Sequence, residues 1–390
     1  MVSRELVIVY DAPSKTHAHL LGSQYLAYYL KFFEKIHVLY WSNEGKDAMF
    51  PAQEGKISFY PYCAPYTSSY FAGIAFMLWI GKTLWALCGR TSRGKRMVIM
   101  PVIPLWAGLP ALVVGKIRRA IVVLRIEADK IQYLEREEHF AGTPRVMTFL
   151  KICILRLIYH ATLPFYDAVI ALSAYIAREA GRYKARNIHV IPIPIDLRIF
   201  HAQGSTPHAR PILLYVGQIK KMKGVDDLIG ALELMRAEGE ALPLTRIVGD
   251  TTNPRDEAYK RDLQERARGL PVEFLGWQGH SALPALYRHA DILVLPSHSE
   301  ALGRTVMEAM ACGLPTVASR VGGIVDLVED SQTGFLVEPG DSVALKAKIS
   351  FLAARPALRE QMGKRARTRI EDIMRKADTD NNILWKTLCQ

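Results

Sequence analysis

Short apolar runs recur along this chain. Between them, apolar residues return at the roughly 3.6-residue period of a helix. In the first half the runs are 6–10 (LVIVY), 37–41 (HVLYW), 97–100 (MVIM), 121–124 (IVVL) and 168–172 (AVIAL). In the second half they are 212–216 (ILLYV), 246–248 (RIV), 272–275 (VEFL), 292–295 (ILVL) and 316–319 (TVAS). Runs of this length, closed by Gly, Pro or polar clusters, read as buried strands. Tyr25, Leu26, Tyr29, Leu30 and Phe33 share one helical face, as do Val306, Met307, Met310 and Ala311. Strands alternating with helices predict an α/β chain with doubly wound parallel sheets. The polar stretch 201–210 (HAQGSTPHAR) breaks the pattern, separating a first domain at 1–200 from a second at 211–369. At 390 residues the chain is long enough for both to hold a core.

The densest chemistry lies at 294–323 (VLPSHSEALGRTVMEAMACGLPTVASRVGG). A strand stops at Pro296, a polar loop follows, and a helix starts after Gly303 and stops at Gly313 with Pro315 beyond. The first amides of that helix lack internal partners, and its dipole adds partial positive charge, so an anion can sit there. Gly303 lets the backbone approach a ligand closely. Glu300 and Glu308 flank this point. Carboxylates repel phosphate but accept hydrogen bonds from sugar hydroxyls. The combination suits a ligand with both groups, a nucleotide-sugar.

Glu300 and Glu308, in the frame EALGRTVMEAMACGLP, resemble the E-x7-E motif of glycosyltransferase family 4, a family of retaining enzymes. Gly322-Gly323 and the later Thr333-Gly334-Phe335 resemble the same family's continuation. The resemblance is strong over 212–340 and loose before 165. It implies a GT-B fold: two Rossmann-like, doubly wound domains facing across a cleft, acceptor in the first and donor in the second. It also implies that the terminal helix, 370–390, crosses back to complete the first domain. By the same resemblance Glu308 holds ribose hydroxyls, Glu300 faces the donor sugar, and the amides around Leu302, Gly303, Arg304 and Thr305 hold the diphosphate. The loop after 212–216 begins Gly217-Gln218 and ends Lys223-Gly224. Relatives carry arginine where Gln218 stands. Lys223 matches their diphosphate-binding lysine, and Lys220 or Lys221 is left to supply the missing charge. Gly249 resembles a family turn, and Leu275 lies in the segment whose backbone reads the nucleobase. The first loop departs from the family, having only Gly22 near Ser14, Lys15 and Ser23 in place of a glycine pair.

At the end of the 121–124 run stand Glu127 and Asp129, at the sheet edge where open α/β folds place ligands. Either can orient an acceptor hydroxyl or take its proton, and Glu127 joins Glu300 and Lys223 as a catalytic candidate. No Asp-x-Asp ends a strand, so the expected chemistry is metal-independent, with no cofactor. The nucleotide-sugar is a substrate, UDP ahead of GDP.

Charge adds a partner. The net charge is +12. Residues 1–200 hold 25 basic and 14 acidic residues, against 25 and 24 in 201–390, so the excess belongs to the first half. Without a nucleic-acid-binding module, that asymmetry favours an anionic membrane surface over nucleic acid. The apolar stretch 70–88, with Phe71, Phe76, Trp79 and Trp85, is followed by Arg90, Arg93, Lys95 and Arg96. Residues 70–96 are therefore expected to lie on the membrane, the alternative being a buried helix. Five scattered cysteines and no signal peptide point to a cytoplasmic protein at the membrane face. The expected activity is retaining transfer from a nucleotide-diphosphate sugar to a lipid-linked or surface-glycan acceptor. A soluble transferase with a small acceptor, or an inactive GT-B scaffold, remains the rival.

Overall fold

The structure is a computed structural model. It describes residues 5–13, 26, 28–42, 53–63, 70–90, 97–102, 104–132, 134–135, 145–202, 208, 210–251 and 253–388. The first loop with Ser14, Lys15, Gly22 and Ser23, and the basic residues Arg93, Lys95 and Arg96, lie outside the described residues.

The chain forms two compact units. Unit 1 comprises Met1–Ile131, Val146–Pro192 and Ala377–Gln390. Its strands are β1 (Glu5–Pro13), β2 (Lys35–Ser42), β3 (Gln53–Glu54), β4 (Ile57–Cys63), β5 (Val98–Pro101), β6 (Ile121–Ile126), β7 (Ala168–Ala171) and β8 (Ile188–Val190). They lie in the order β3-β4-β2-β1-β5-β6-β7-β8, parallel except for β3 against β4. Leu6, Val7, Ile8 and Val9 are fully buried, as are Val122, Val123 and Leu124. Strands covered on both faces read as unbroken apolar runs, which is why the sequence shows runs rather than alternation here.

Helices Tyr70–Arg90, Leu109–Arg118 and Arg145–Thr162 connect β4 to β5, β5 to β6 and β6 to β7. All three connections step the same way across the sheet, so right-handed crossovers put the helices on one face. The Tyr70–Arg90 helix buries Phe76, Ile80 and Leu84 and exposes Ile74, Leu78 and Trp85. It is thus a sheet-covering helix with an apolar outer side. Phe76 is not at an interface as expected: it is wholly buried and packs on Trp41 and Tyr62. Phe76 sits on the stripe Gly73, Phe76, Ile80, Leu84 that faces the sheet, and helical spacing assigns it inward.

Unit 2 comprises Gln132–Arg145 and Ile193–Lys376. Its strands are β9 (Ile212–Val216), β10 (Leu244–Val248), β11 (Val272–Gly276), β12 (Ile292–Leu295), β13 (Thr316–Ser319) and β14 (Gly334–Val337). All are parallel in the order β11-β10-β9-β12-β13-β14. The chain starts in the middle, winds one way through β10 and β11, then returns to wind the other way. That reversal creates a crevice between the C-terminal ends of β9 and β12, where sheets of this kind receive ligands. The last helix, Pro356–Leu388, is continuous and contributes to both units.

Candidate active site

The loops leaving β9 and β12 hold the unit 2 candidates. After β9 comes Gly217, whose amide donates to the Val248 carbonyl at the end of β10 (3.0 Å). The amide of Gly249 in turn donates to Gly276 at the end of β11 (2.8 Å). Gln218 gives its carbonyl to the hydroxyl of Tyr215 (2.8 Å). Leu275 is half-buried, and its carbonyl accepts from the Gln278 side chain (2.8 Å). The loop closes on a short 3-10 turn, Lys221–Lys223, and then Gly224.

Gly224 has φ +63°, and a Cβ there would stand 2.0 Å from the Pro296 carbonyl oxygen. Only glycine allows that approach, which brings the β9 loop against the end of β12. The His298 amide donates to the Met222 carbonyl (2.9 Å) and fastens the two loops. Lys223 consequently reaches Glu300, with Nζ 2.5 Å from Oε1. The same carboxylate oxygen accepts from the Ser297 hydroxyl (3.0 Å). Both partners of the pair are mostly buried but reach solvent. Beneath them Tyr215 is fully buried, and its hydroxyl pKa is pushed far up by burial and then by the charge of Glu300.

Gly322 supports Glu300 from the β13 side. Its φ is +49°, and a Cβ would lie 1.5 Å from the Glu300 carbonyl oxygen. The Gly323 amide donates to that oxygen (3.1 Å). The glycine pair after β13 therefore sets the backbone position of Glu300.

Helix Arg304–Ala311 begins at Gly303, in the left-handed region, with no side chain capping it. Thr305 lies in its half-buried first turn, and Leu302 just before it is buried. Glu308 sits one turn into the helix and is 2% exposed. It accepts from the Tyr287 hydroxyl on one oxygen (3.0 Å) and from Arg304 Nε on the other (3.0 Å). Burial, then the Glu308 charge, raises the Tyr287 hydroxyl well above the ordinary tyrosine range. His280 is half-buried nearby; burial lowers its pKa, partly opposed by Glu308. Sequence reasoning did not assign roles to Tyr287, His280 and Ser297. The available signal was the position of Tyr287 on a short helix preceding β12, which aims it at the next helix.

Glu127, the remaining catalytic candidate, belongs to unit 1. Its Oε1 lies 2.9 Å from Nε of Arg125, which is itself 1% exposed and donates to the Tyr29 hydroxyl. Asp129 takes a different part: it accepts from the Ile131 amide (3.1 Å) and the Tyr175 hydroxyl (2.5 Å), holding a turn. Both carboxylates left open by the sequence are thus engaged, Glu127 by Arg125 and Asp129 by Ile131 and Tyr175.

Two parallel α/β units, with basic and acidic side chains gathered at a strand switch point, define a GT-B fold. Solved structures agree over nearly the full chain. Sucrose-phosphate synthase from Thermosynechococcus elongatus aligns with a TM-score of 0.76 at 22% identity over 99% of both chains. HepE of Anabaena, in complex with UDP and glucose, aligns at 0.73 with 19% identity over 99% of both. Residues 198–369 match the model of the family Glycosyl transferases group 1. Among curated relatives, a sulfoquinovosyl transferase of Arabidopsis thaliana is 30% identical over 286 residues, covering 61% of this chain and 54% of that one. A glycogen synthase of Mycobacterium tuberculosis is 35% identical over 187 residues, covering 47% and 44%. The chain spans about half the length of the curated relatives it matches.

Proposed function

We propose that this protein is a retaining, metal-independent glycosyltransferase of family 4 type. It moves a sugar from a nucleotide-diphosphate donor to a lipid-linked or surface-glycan acceptor at the cytoplasmic membrane face. The observation that carries the reading is the meeting of Lys223 and Glu300 across the β9–β12 crevice, beside an uncapped helix start. The donor diphosphate sits at the amides of Gly303 to Thr305, where the helix dipole favours negative charge. On arrival it draws Lys223 from Glu300, and the freed carboxylate accepts hydroxyls of the sugar. Glu308, fixed by Tyr287 and Arg304, keeps acceptor capacity for the ribose hydroxyls. As the anomeric C–O bond breaks, charge grows on the leaving phosphate, and Lys223 stabilises it. The acceptor oxygen bonds to the same face of the anomeric carbon, and its proton passes to the leaving phosphate oxygen. Glu127 of unit 1 orients the acceptor hydroxyl. UDP is the favoured carrier; the resemblance to a fold solved with UDP and glucose supports it.

The test is a thermal-shift panel of UDP, GDP and ADP without added metal. Ligand at about 100 Kd raises stability by about 2.7 kcal/mol. A shift with UDP that disappears in Glu308→Ala supports the reading. The absence of any nucleotide shift overturns it in favour of an inactive scaffold. Trapping of a covalent glycosyl-enzyme adduct would overturn the same-face step alone.

A further inference from the structure

The expected membrane contact was the stretch 70–96; among the described residues, more large exposed apolar side chains gather on another helix of unit 1. In and just after helix Arg145–Thr162, Val146, Met147, Phe149, Leu150, Ile154, Leu157 and Phe165 are all more than half exposed. Among the described residues, Val146–Phe165 is the one helical stretch long and apolar enough to cross a bilayer. Topology forbids that crossing. β6 and β7 are paired in parallel, from Val123 against Ala168 to Ile126 against Ala171. The helix between them must run back along the sheet, and Ile152, Tyr159 and Leu163 are buried on its inner side. The outer side therefore lies along a surface, not through it.

The Tyr70–Arg90 and Leu109–Arg118 helices on this face extend the same chemistry. Ile74, Leu78 and Trp85 are exposed on one, Val113 and Ile117 on the other, and Arg118 stacks on the Trp85 ring at 3.6 Å. The three helices contain Lys82, Arg90, Lys116, Arg118, Arg145, Lys151 and Arg156, and no aspartate or glutamate. The nearest following acid, Asp167, is matched by Lys116 (2.7 Å) and the Val122 amide (2.8 Å). The next helix on this face, Ala174–Arg182, is followed by Tyr183, which packs on Tyr159 and His160, and its one acid, Glu179, is paired with Arg182 (2.9 Å). Apolar side chains interleaved with an excess of cations complement an acyl boundary topped by anionic headgroups.

We infer that the Arg145–Thr162 helix, together with the Leu109–Arg118 and Tyr70–Arg90 helices on the same face, seats this protein in the plane of an anionic bilayer. This deepens the membrane-face part of the proposed function and rests on it only for the purpose of the contact. The test is flotation with phosphatidylcholine vesicles, with and without phosphatidylglycerol, at low and high salt. The wild type floats with the anionic vesicles, less so in high salt. Leu150→Glu combined with Leu157→Glu, at two exposed positions of unit 1, weakens that binding by more than about tenfold. Its melting temperature and nucleotide shift match the wild type, which excludes misfolding. In parallel, maleimide modification of the exposed Cys153 slows when anionic vesicles are added. No flotation of the wild type, or equal flotation of the double variant, overturns the inference. So does a dimer in sedimentation that the glutamates dissolve without any vesicle binding, because the occupant is then a second copy. Flotation without any nucleotide shift upholds this surface and overturns the transferase reading.

Discussion

Replacing Gly322 by alanine separates backbone strain from displacement of Glu300. Two terms apply. The first is conformational: φ is +49°, and a residue with a Cβ in the left-handed region costs about 1–2 kcal/mol. The second is steric. The new Cβ would stand 1.5 Å from the Glu300 carbonyl oxygen. Nonbonded atoms need about 3.5 Å, so the two backbones must part by about 2 Å. Gly239 supplies the control. It has φ +72°, and a Cβ there would meet nothing within 4 Å, so Gly239→Ala carries the first term without the second. For a unit of this size, that term lowers the melting temperature by about 2–8 °C. Gly322→Ala melts lower still. Its rate of nucleoside diphosphate release from the sugar donor falls by about a hundredfold, because a misplacement of about 1 Å at a reacting group has that effect. The assay follows diphosphate release at saturating donor alongside thermal melts of both variants. A Gly322→Ala enzyme with a rate within a few-fold of Gly239→Ala refutes the claim that the glycine positions Glu300.

Three further outcomes follow from the site and its surroundings. Tyr287→Phe leaves a buried carboxylate one donor short, costing about 1.5–3 kcal/mol of stability in chemical denaturation, and weakening nucleotide binding by calorimetry; an unchanged denaturation midpoint contradicts the bond to Glu308. His280 titrates below the ordinary histidine value because it is buried, so the unfolded chain takes up the proton first as pH falls. Its contribution is complete above the unfolded value and is lost on acidifying from there through the folded one; His280→Asn therefore shows a shallower fall in urea midpoint between neutral and mildly acid pH, and an identical slope rejects it. Burial pushes the Cys312 thiol up to about 12, so at neutral pH the exposed Cys153 is alkylated first and Cys312 only on unfolding, as peptide mass mapping reads out.

Much of unit 2 was legible because its signals are local. The 292–295 and 316–319 runs are strands at those residues, and the helix between them starts after Gly303 and ends before Gly313. Caps and glycine turns act over a few residues and leave marks in the sequence. In unit 1, Ser173 likewise acts locally, capping the helix Ala174–Arg182 through the Ile176 amide (3.3 Å). The pairing of Lys223 with Glu300 spans 77 positions and depends on Gly224 meeting Pro296, which no local pattern encodes. Tyr287 and His280 were missed for the same reason. The outer face of Arg145–Thr162 was illegible for another. Its helix is apolar nearly all round, so periodicity does not say which side the sheet covers; only the placement of β6 beside β7 decides it.

The shared last helix bears on how the chain is made. Unit 1 lacks a piece until residues 377–388 exist, for Trp385 packs on Phe33 (5.1 Å), and Asp378 and Asn381 bond Tyr28 (2.7 and 3.0 Å). Trp385 also touches Tyr29, the residue bonded to Arg125, which pairs with Glu127. A ribosome delivers most of unit 1 first, yet its final layer emerges last. Unit 2, complete at residue 376, can close while the earlier half still waits. A chain cut short of residue 377 therefore holds every residue of unit 2 while unit 1 lacks the Tyr28 and Phe33 contacts of residues 378–385.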